Sequence, residues 1–155
     1  MLALVNYLMK AIFLDMDGVL VIGHQVDVTY DWEAVRRLHD LQKKTNAQIV
    51  LSSDWRYSWK VKDLTKSIES QTGFDINIID TTPQALKAEN GVYIARKRGD
   101  EISHWISQND VENYTILDDL PKDQFNEDQL KHLVNTDYDE GFTSAKYQEA
   151  LSILG

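Results

Sequence analysis

The stretch KAIFLDMDGVLVIG, residues 10–23, joins an apolar run to two closely spaced aspartates. The run AIFL (11–14) has the length and continuous apolarity of a strand that is buried on both faces of a parallel sheet. Asp15 and Asp17 follow at its end, and two carboxylates this close repel each other, while burying one unpaired is costly. The stretch therefore predicts that another group, supplied or bound elsewhere in the chain, offsets this cost.

The length and composition are those of one globular domain. The chain has 155 residues, of which 43% are apolar. We expect residues 1–8 to be an N-terminal extension and residues 9–155 to form the single domain. The opening segment lacks the features of a signal peptide, and no apolar run approaches the roughly 18 residues of a membrane-spanning helix. No membrane association is expected.

Two further features of composition limit the function. The chain has no cysteine, which excludes disulfides, thiolate chemistry and cysteine zinc sites and fits a cytoplasmic protein. Its formal net charge is −9, so an extended surface for the nucleic-acid backbone is disfavoured. The acidic residues are instead suited to surround a cation.

Strand-like and helix-like patterns alternate along the chain. Short apolar runs predict five strands, at residues 11–15, 47–53, 76–80, 114–119 and 131–137. Helical spacing predicts four helices, at residues 30–45, 60–73, 99–109 and 143–154. In the first helix, Asp31 is the candidate N-cap and Trp32 falls on the predicted buried side. The alternation predicts a three-layer, Rossmann-like α/β fold with a five-stranded parallel sheet.

Polar residues end three of the predicted strands, and ligands bind at the carboxyl ends of strands in such sheets. Four carboxylates are expected to converge at this edge, which requires a cation. Mg²⁺ is the natural choice because it prefers oxygen ligands and keeps waters that a phosphate can replace. The predicted metal ligands are Asp15, Asp17, Asp118 and Asp119.

The same residues predict phosphoryl-transfer chemistry. Asp15 is placed to attack phosphorus and form an aspartyl-phosphate, and Asp17 to protonate the leaving oxygen and later to activate water. Gly18 is expected to allow a tight turn whose amide hydrogens point at phosphate oxygens. The hydroxyl of Ser52 is a candidate phosphate donor, with Ser53 beside it.

A positive side chain is also needed against the charge that spreads over the transferring phosphoryl group. The segment ARKRGDE supplies it just before the predicted third helix. Lys97 and Arg98 are the two candidates.

Together these motifs resemble the haloacid dehalogenase (HAD) superfamily of phosphohydrolases. The stretch FLDMDGVL (13–20) matches its first motif, IVLS (49–52) its second, Lys97 or Arg98 its third and TILDD (115–119) its fourth. All four occur in the family's order, and four ordered motifs at strand ends are far more specific than one. The resemblance covers about residues 9–155.

A narrower resemblance is to the small HAD domains of Swiss Army Knife RNA repair proteins. The stretches that carry it are LSSDWR, RGDEISHWI, YTILDDL and NTDYDEGFT. The second of them favours Arg98 over Lys97 as the third motif.

The resemblance implies a role for each matching residue. Asp15 is the nucleophile and a metal ligand, and Asp17 is the general acid and base whose backbone carbonyl also binds Mg²⁺. Ser52 holds phosphate, and Asp118 or Asp119 completes the metal site.

Many relatives carry a separate lid after the first or second motif. Here only about a dozen residues separate Gly18 from the first helix, which is too few for one. We therefore expect a capless domain with an open site, suited to large substrates such as polynucleotide ends or phosphoproteins.

Taken together, the sequence predicts a Mg²⁺-dependent phosphomonoester hydrolase that acts through an aspartyl-phosphate on a phosphorylated substrate. The subgroup resemblance favours nucleic-acid ends, and a small nucleotide or sugar phosphate is the alternative substrate. The rival functions are a receiver-like phosphoacceptor, which has no use for an acid at Asp17, and a non-catalytic HAD-fold binding module.

Residues near the second motif leave alternatives open. Ser52 and Ser53 either hold phosphate or satisfy backbone groups. Trp55 and Arg56 either face substrate or serve packing and a salt bridge. Tyr57 and Trp59 either stack on bases or pack inward.

Overall fold

A computed structural model describes residues 8–83 and 96–155. The strands are β1 (Met9–Leu14), β2 (Gln48–Leu51), β3 (Ile78–Thr81), β4 (Val111–Asp118) and β5 (Leu133–Asn135). The α-helices are α1 (Trp32–Thr45), α2 (Val61–Thr72), α3 (Arg98–Ser107), α4 (Glu127–Leu130) and α5 (Ser144–Leu154). Two short 3-10 helices span Asp54–Tyr57 and Lys122–Gln124. Within the described ranges, no helix combines the length and apolarity that crossing a bilayer requires.

The five strands form one parallel sheet in the order β3-β2-β1-β4-β5, which confirms the predicted fold class. In the register, Leu14 pairs with both Leu51 and Leu117, so β1, β2 and β4 end at the same level. Backbone bonds continue one residue further: the amide of Asp15 donates to Leu117 O at 3.0 Å, and that of Ser52 donates to Leu14 O at 2.9 Å. The sheet therefore brings the first, second and fourth motifs to one edge.

Two apolar clusters cover the two faces of the sheet. Ile12 and Leu14 of β1 point into a cluster with α1, α2 and α5, and the alternate residues Ala11 and Phe13 point into a cluster with α3. Phe13 meets the ring of Trp105 edge to face, with centroids 5.6 Å apart. This alternation produces the three predicted layers, because a strand's successive side chains face opposite sides.

Helix α1 begins at the predicted cap, because Asp31 accepts a hydrogen bond from the amide of Glu33 at 3.1 Å. The prediction that Trp32 is buried is wrong: it is 54% exposed, and the Arg36 guanidinium lies over its ring. Trp32 is the first residue of α1 and shares a helix face with Arg36, four residues on, outside the buried stripe that begins at Ala34.

No separately folded lid covers the strand ends in the parts of the chain that the structure describes. The segment between β1 and α1 contributes Val19 and Leu20 to the core. The segment after β2 consists of a 3-10 helix and α2. Of the predicted extension, residues 1–7 lie outside the described ranges, and Leu8 is exposed.

Candidate active site

Three of the predicted metal ligands form one acidic cluster. Asp15 follows β1, Asp118 ends β4 and Asp119 comes next; each offers one carboxylate oxygen, and these oxygens all lie within 4.8 Å of one another. Asp15 and Asp118 are 5% and 0% exposed. Burial raises the pKa of Asp15 well above its usual range, and the charge of Asp118 adds to this effect. Burial also raises the pKa of Asp118 and Asp119. Three converging carboxylate oxygens are a donor set that fits Mg²⁺.

Arg98 lies inside this cluster. It is the first residue of α3, and its Nη1 donates to Asp118 Oδ2 at 2.7 Å and lies 3.6 Å from Asp15 Oδ1. Lys97 is exposed, and its Nζ donates to the carbonyl of Asp123 at 3.1 Å. Of the two candidates for the third motif, the structure thus brings Arg98 to the predicted nucleophile and turns Lys97 away from it.

Gly18 makes room for the fourth motif. Its φ is +77°, and a Cβ at this position would overlap the carboxyl group of Asp119. The N–H of Gly18 itself donates to Val21 O at 2.7 Å inside the turn, so a phosphate contact from other amides of the turn stays a prediction. The Gly18 N–H is therefore used within the turn, and the absence of a side chain at this position leaves room for Asp119.

Asp17 stands apart from the acidic cluster. Its side chain is exposed, and Oδ2 accepts a hydrogen bond from Trp55 Nε1 at 3.0 Å. Trp55 belongs to the 3-10 helix that follows β2 and is half-buried against Tyr30. The indole therefore holds a solvent-facing carboxylate at the rim, two residues from Asp15.

The two serines of the second motif have different surroundings. Ser52 is 0% exposed, and its Oγ has no hydrogen-bond partner among the described residues. Leaving a buried hydroxyl unpaired costs about 1–3 kcal/mol, and at the strand edge beside Asp15 this one has its donor available for the predicted phosphate contact. Ser53, predicted as a further phosphate ligand, accepts a hydrogen bond from the amide of Trp55 and caps the 3-10 helix, which is the backbone role considered for it, and its phosphate role stays a prediction.

A buried ion pair between Arg56 and Glu101 supports the backbone of the second motif. Arg56 Nη1 donates to the carbonyls of Ser52 and Ser53 at 3.0 and 2.8 Å, and its Nη2 pairs with Glu101 of α3. The same Glu101 approaches Arg98, with 3.9 Å between Oε1 and Nε. Burial raises the pKa of Glu101, and the Arg56 charge opposes that shift. The pair ties the second motif to the helix that carries the third.

The salt bridge considered for Arg56 is confirmed. The sequence did not predict its partner Glu101, although this residue stands one turn after Arg98 in the stretch RGDE.

The sequence also did not predict a role for Asn135. Its Nδ2 donates to the carbonyls of Asp118 and Leu120 at 3.0 and 2.9 Å and so fixes the fourth motif. A single polar residue at a strand end carries no sequence signal for such a bond.

A parallel α/β sheet with an Asp-x-Asp-Gly turn after the central strand and a second acidic pair after its neighbour defines a HAD-type domain. A family model described as the HAD domain in Swiss Army Knife RNA repair proteins matches residues 11–147, and the chain belongs to this family. The resemblance stated from the motifs is confirmed. Comparison with curated proteins and with solved structures gives no match. Membership indicates a phosphatase-type HAD domain whose acidic cluster is able to hold a metal ion.

Proposed function

We propose that the protein is a Mg²⁺-dependent phosphomonoester hydrolase that forms an aspartyl-phosphate on Asp15. The observation that carries this proposal is the convergence of Asp15, Asp118 and Asp119 around the guanidinium of Arg98 at one sheet edge. Like charges this close are untenable alone and fit a site that binds a cation and a phosphoryl group together.

In the first step, a carboxylate oxygen of Asp15 attacks the phosphorus of the ester. The bond between phosphorus and the ester oxygen breaks as the new one forms. Asp17 donates its proton to the leaving oxygen, which departs as an alcohol. The Trp55 indole keeps the Asp17 carboxyl group at the rim, where the leaving group exits.

In the second step, water attacks the phosphorus of the aspartyl-phosphate. Asp17, now a carboxylate, accepts the proton of that water. The bond between phosphorus and the Asp15 oxygen breaks, inorganic phosphate leaves, and both aspartates return to their starting states.

Other groups of the chain hold the phosphoryl oxygens. Arg98 presents its guanidinium beside Asp15, and Ser52 presents a buried hydroxyl at the same edge. Mg²⁺ would be held by the three clustered carboxylates and, as in the family, by the Asp17 carbonyl; when bound, it neutralises negative charge on the phosphoryl group. Arg98 additionally offsets the charge of Asp118.

We further propose that the open site takes a large phosphorylated substrate, with a polynucleotide end favoured over a sugar phosphate. The described residues carry no lid that would enclose a small molecule, and family membership points the same way. Small nucleotides and sugar phosphates are the competing substrates.

Phosphate release from an aryl phosphate and from 3′-phosphorylated oligonucleotides, with Mg²⁺ and with EDTA, tests this function. We expect Mg²⁺-dependent turnover that Asp15→Asn abolishes, with Asp17→Asn leaving a slowly hydrolysed phospho-enzyme. The matched control is Asp75→Asn, an exposed aspartate between α2 and β3. Wild-type protein that is phosphorylated by an acyl phosphate such as acetyl phosphate, but releases no alcohol from either ester, would instead support a receiver, and absence of both reactions would support a binding module.

A further inference from the structure

An exposed aromatic depression adjoins the general acid. It has a volume of about 310 Å³ and is lined by Val28, Asp54, Trp55, Ser58 and Trp59. We call these five residues the aromatic subsite. The two indole rings lie nearly parallel, with an interplanar angle of 14° and centroids 6.2 Å apart.

The outer part of this subsite faces solvent. Trp59 is 37% exposed and Val28 43% exposed, whereas Trp55 packs partly against the core. The inward packing considered for Trp59 is therefore only partial. The amide of Trp59, just after the 3-10 helix, donates to the carbonyl of Trp55 at 2.9 Å and so holds the two residues' backbones together. An exposed aromatic ring that is backed by a second, partly buried one in a concave setting is typical of a ligand contact.

The subsite is connected to the chemistry from two directions. Trp55 Nε1 donates to Asp17 Oδ2 at 3.0 Å, so one ring of the pair touches the proposed acid. Asp54 Oδ1 lies 3.5 Å from Nη2 of Arg98, the cation beside Asp15. A group bound on the rings would thus neighbour Asp17 through Trp55 and Arg98 through Asp54, the two residues that flank Asp15 in the proposed mechanism.

We propose that Trp55 and Trp59 stack the base of the nucleotide that carries the scissile phosphate. This inference rests on the proposed phosphatase function and narrows its substrate class to phosphomonoesters of nucleosides, either as free nucleotides or as oligonucleotide ends. Trp59 supplies the exposed ring, and Trp55 both backs it and holds Asp17. The substrate base is recognised through its π-face, so several bases are accepted.

The negative charge of the protein favours contact with one base, that of the nucleotide carrying the phosphate, over contacts along the backbone of a strand. The chain carries a net charge of −9, and the Asp54 side chain at the mouth of the subsite is 77% exposed. A carboxylate there repels a further phosphate and accepts a hydrogen bond from the amino group of a base. Stacking needs no positive groove, so it reconciles an acidic protein with a nucleotide substrate.

The test compares kcat/KM for three substrates: a 3′-phosphorylated oligonucleotide, a nucleoside monophosphate and a sugar phosphate that lacks a base. Trp59→Ala should lower kcat/KM about 5- to 100-fold for the two base-bearing substrates and leave the sugar phosphate unchanged. Trp59→Phe should retain most of the activity because it keeps a ring. Leu130→Ala, an exposed apolar residue just before β5 and so near the opposite edge of the sheet, should change nothing.

The outcomes separate this inference from the function on which it rests. An equal loss with Trp59→Ala on all three substrates, or no loss on any, would overturn base stacking while leaving the phosphatase intact. If the wild-type protein hydrolysed none of the three substrates, the proposed function would fail. Calorimetric binding of a nucleoside monophosphate would then test whether the aromatic subsite stacks a base. Binding that Trp59→Ala weakens at least 5-fold would support stacking, and binding unaffected by the substitution would overturn it.

Discussion

Asp15→Asn has two opposite effects, because Asp15 is at once the proposed nucleophile and a member of a repelling cluster. The variant keeps the size of the side chain and removes its charge. We expect phosphate release to be lost. We also expect the metal-free protein to become more stable, since Asp15 is buried with two carboxylates whose oxygens lie within 4.8 Å.

The size of the gain in stability follows from these distances. Because 4.8 Å is the upper limit of each oxygen–oxygen separation, each repulsion amounts to at least ~3.5 kcal/mol at an effective dielectric constant of ~20, and the attraction to Arg98 across 3.6 Å amounts to ~4.6 kcal/mol. The two repulsions exceed the one attraction, so the free energy of unfolding of Asp15→Asn should be about 2 kcal/mol higher than that of the wild type. For a domain of this size that corresponds to a rise in Tm of about 4–8 °C.

The gain depends on pH. Burial raises the pKa of Asp15 in the folded state, so the folded protein binds more protons than the unfolded one between the usual Asp pKa and the raised value. Wild-type stability therefore falls as pH rises through this window, and the penalty is complete above it. Asp15→Asn should show its full gain above the raised pKa and little gain near the ordinary pKa of aspartate.

Thermal melts in EDTA, followed by circular dichroism across a pH series, measure this effect, with Asp75→Asn as the control for losing an exposed charge. A lower Tm for Asp15→Asn than for wild type at the alkaline end would refute the picture of a charged, repelling cluster. Residual phosphate release by the same variant would separately refute Asp15 as the nucleophile.

Three further expectations concern the neighbours of Asp15. Mg²⁺ at 100 times its Kd should raise the free energy of unfolding of the wild-type protein by about 2.7 kcal/mol, measured in thermal melts at neutral pH. Asp118→Asn should reduce this stabilisation. An equal stabilisation of both proteins would exclude Asp118 as a ligand. Trp55→Phe removes the indole donor from Asp17 while keeping a ring, so kcat for an aryl phosphate should fall about 2- to 10-fold; an unchanged kcat and pH profile would mean that the bond does not position the acid. Glu101→Gln removes the buried counter-ion of Arg56 and leaves only the exposed Asp54 carboxylate, at 3.7 Å, so the free energy of unfolding should fall by about 3 kcal/mol in urea titrations. A loss below about 1 kcal/mol would show that the pair is not essential to the fold.

The sequence by itself determined the types of the five strands and of the four longer helices, though not α4 or the 3-10 helices, and the edge at which the motifs meet. Both follow from local rules, since the apolar run AIFL (11–14) marks a strand buried on both faces and the residue after each strand lies at the carboxyl edge of a parallel sheet. The convergence of Asp15 with Asp118 and Asp119, predicted from motifs about a hundred residues apart, therefore needed only the fold class to be right.

Only the tertiary structure decided between neighbouring candidates. Lys97 and Arg98 are adjacent and chemically alike, and the direction in which α3 begins sends one to Asp118 and the other to the carbonyl of Asp123. The pairing of Arg56 with Glu101 likewise joins two elements 45 residues apart. Ion pairs and hydrogen bonds form only within narrow distances, and these distances are set by how one element packs against another. The periodicity of the sequence indicates only which face of an element is buried.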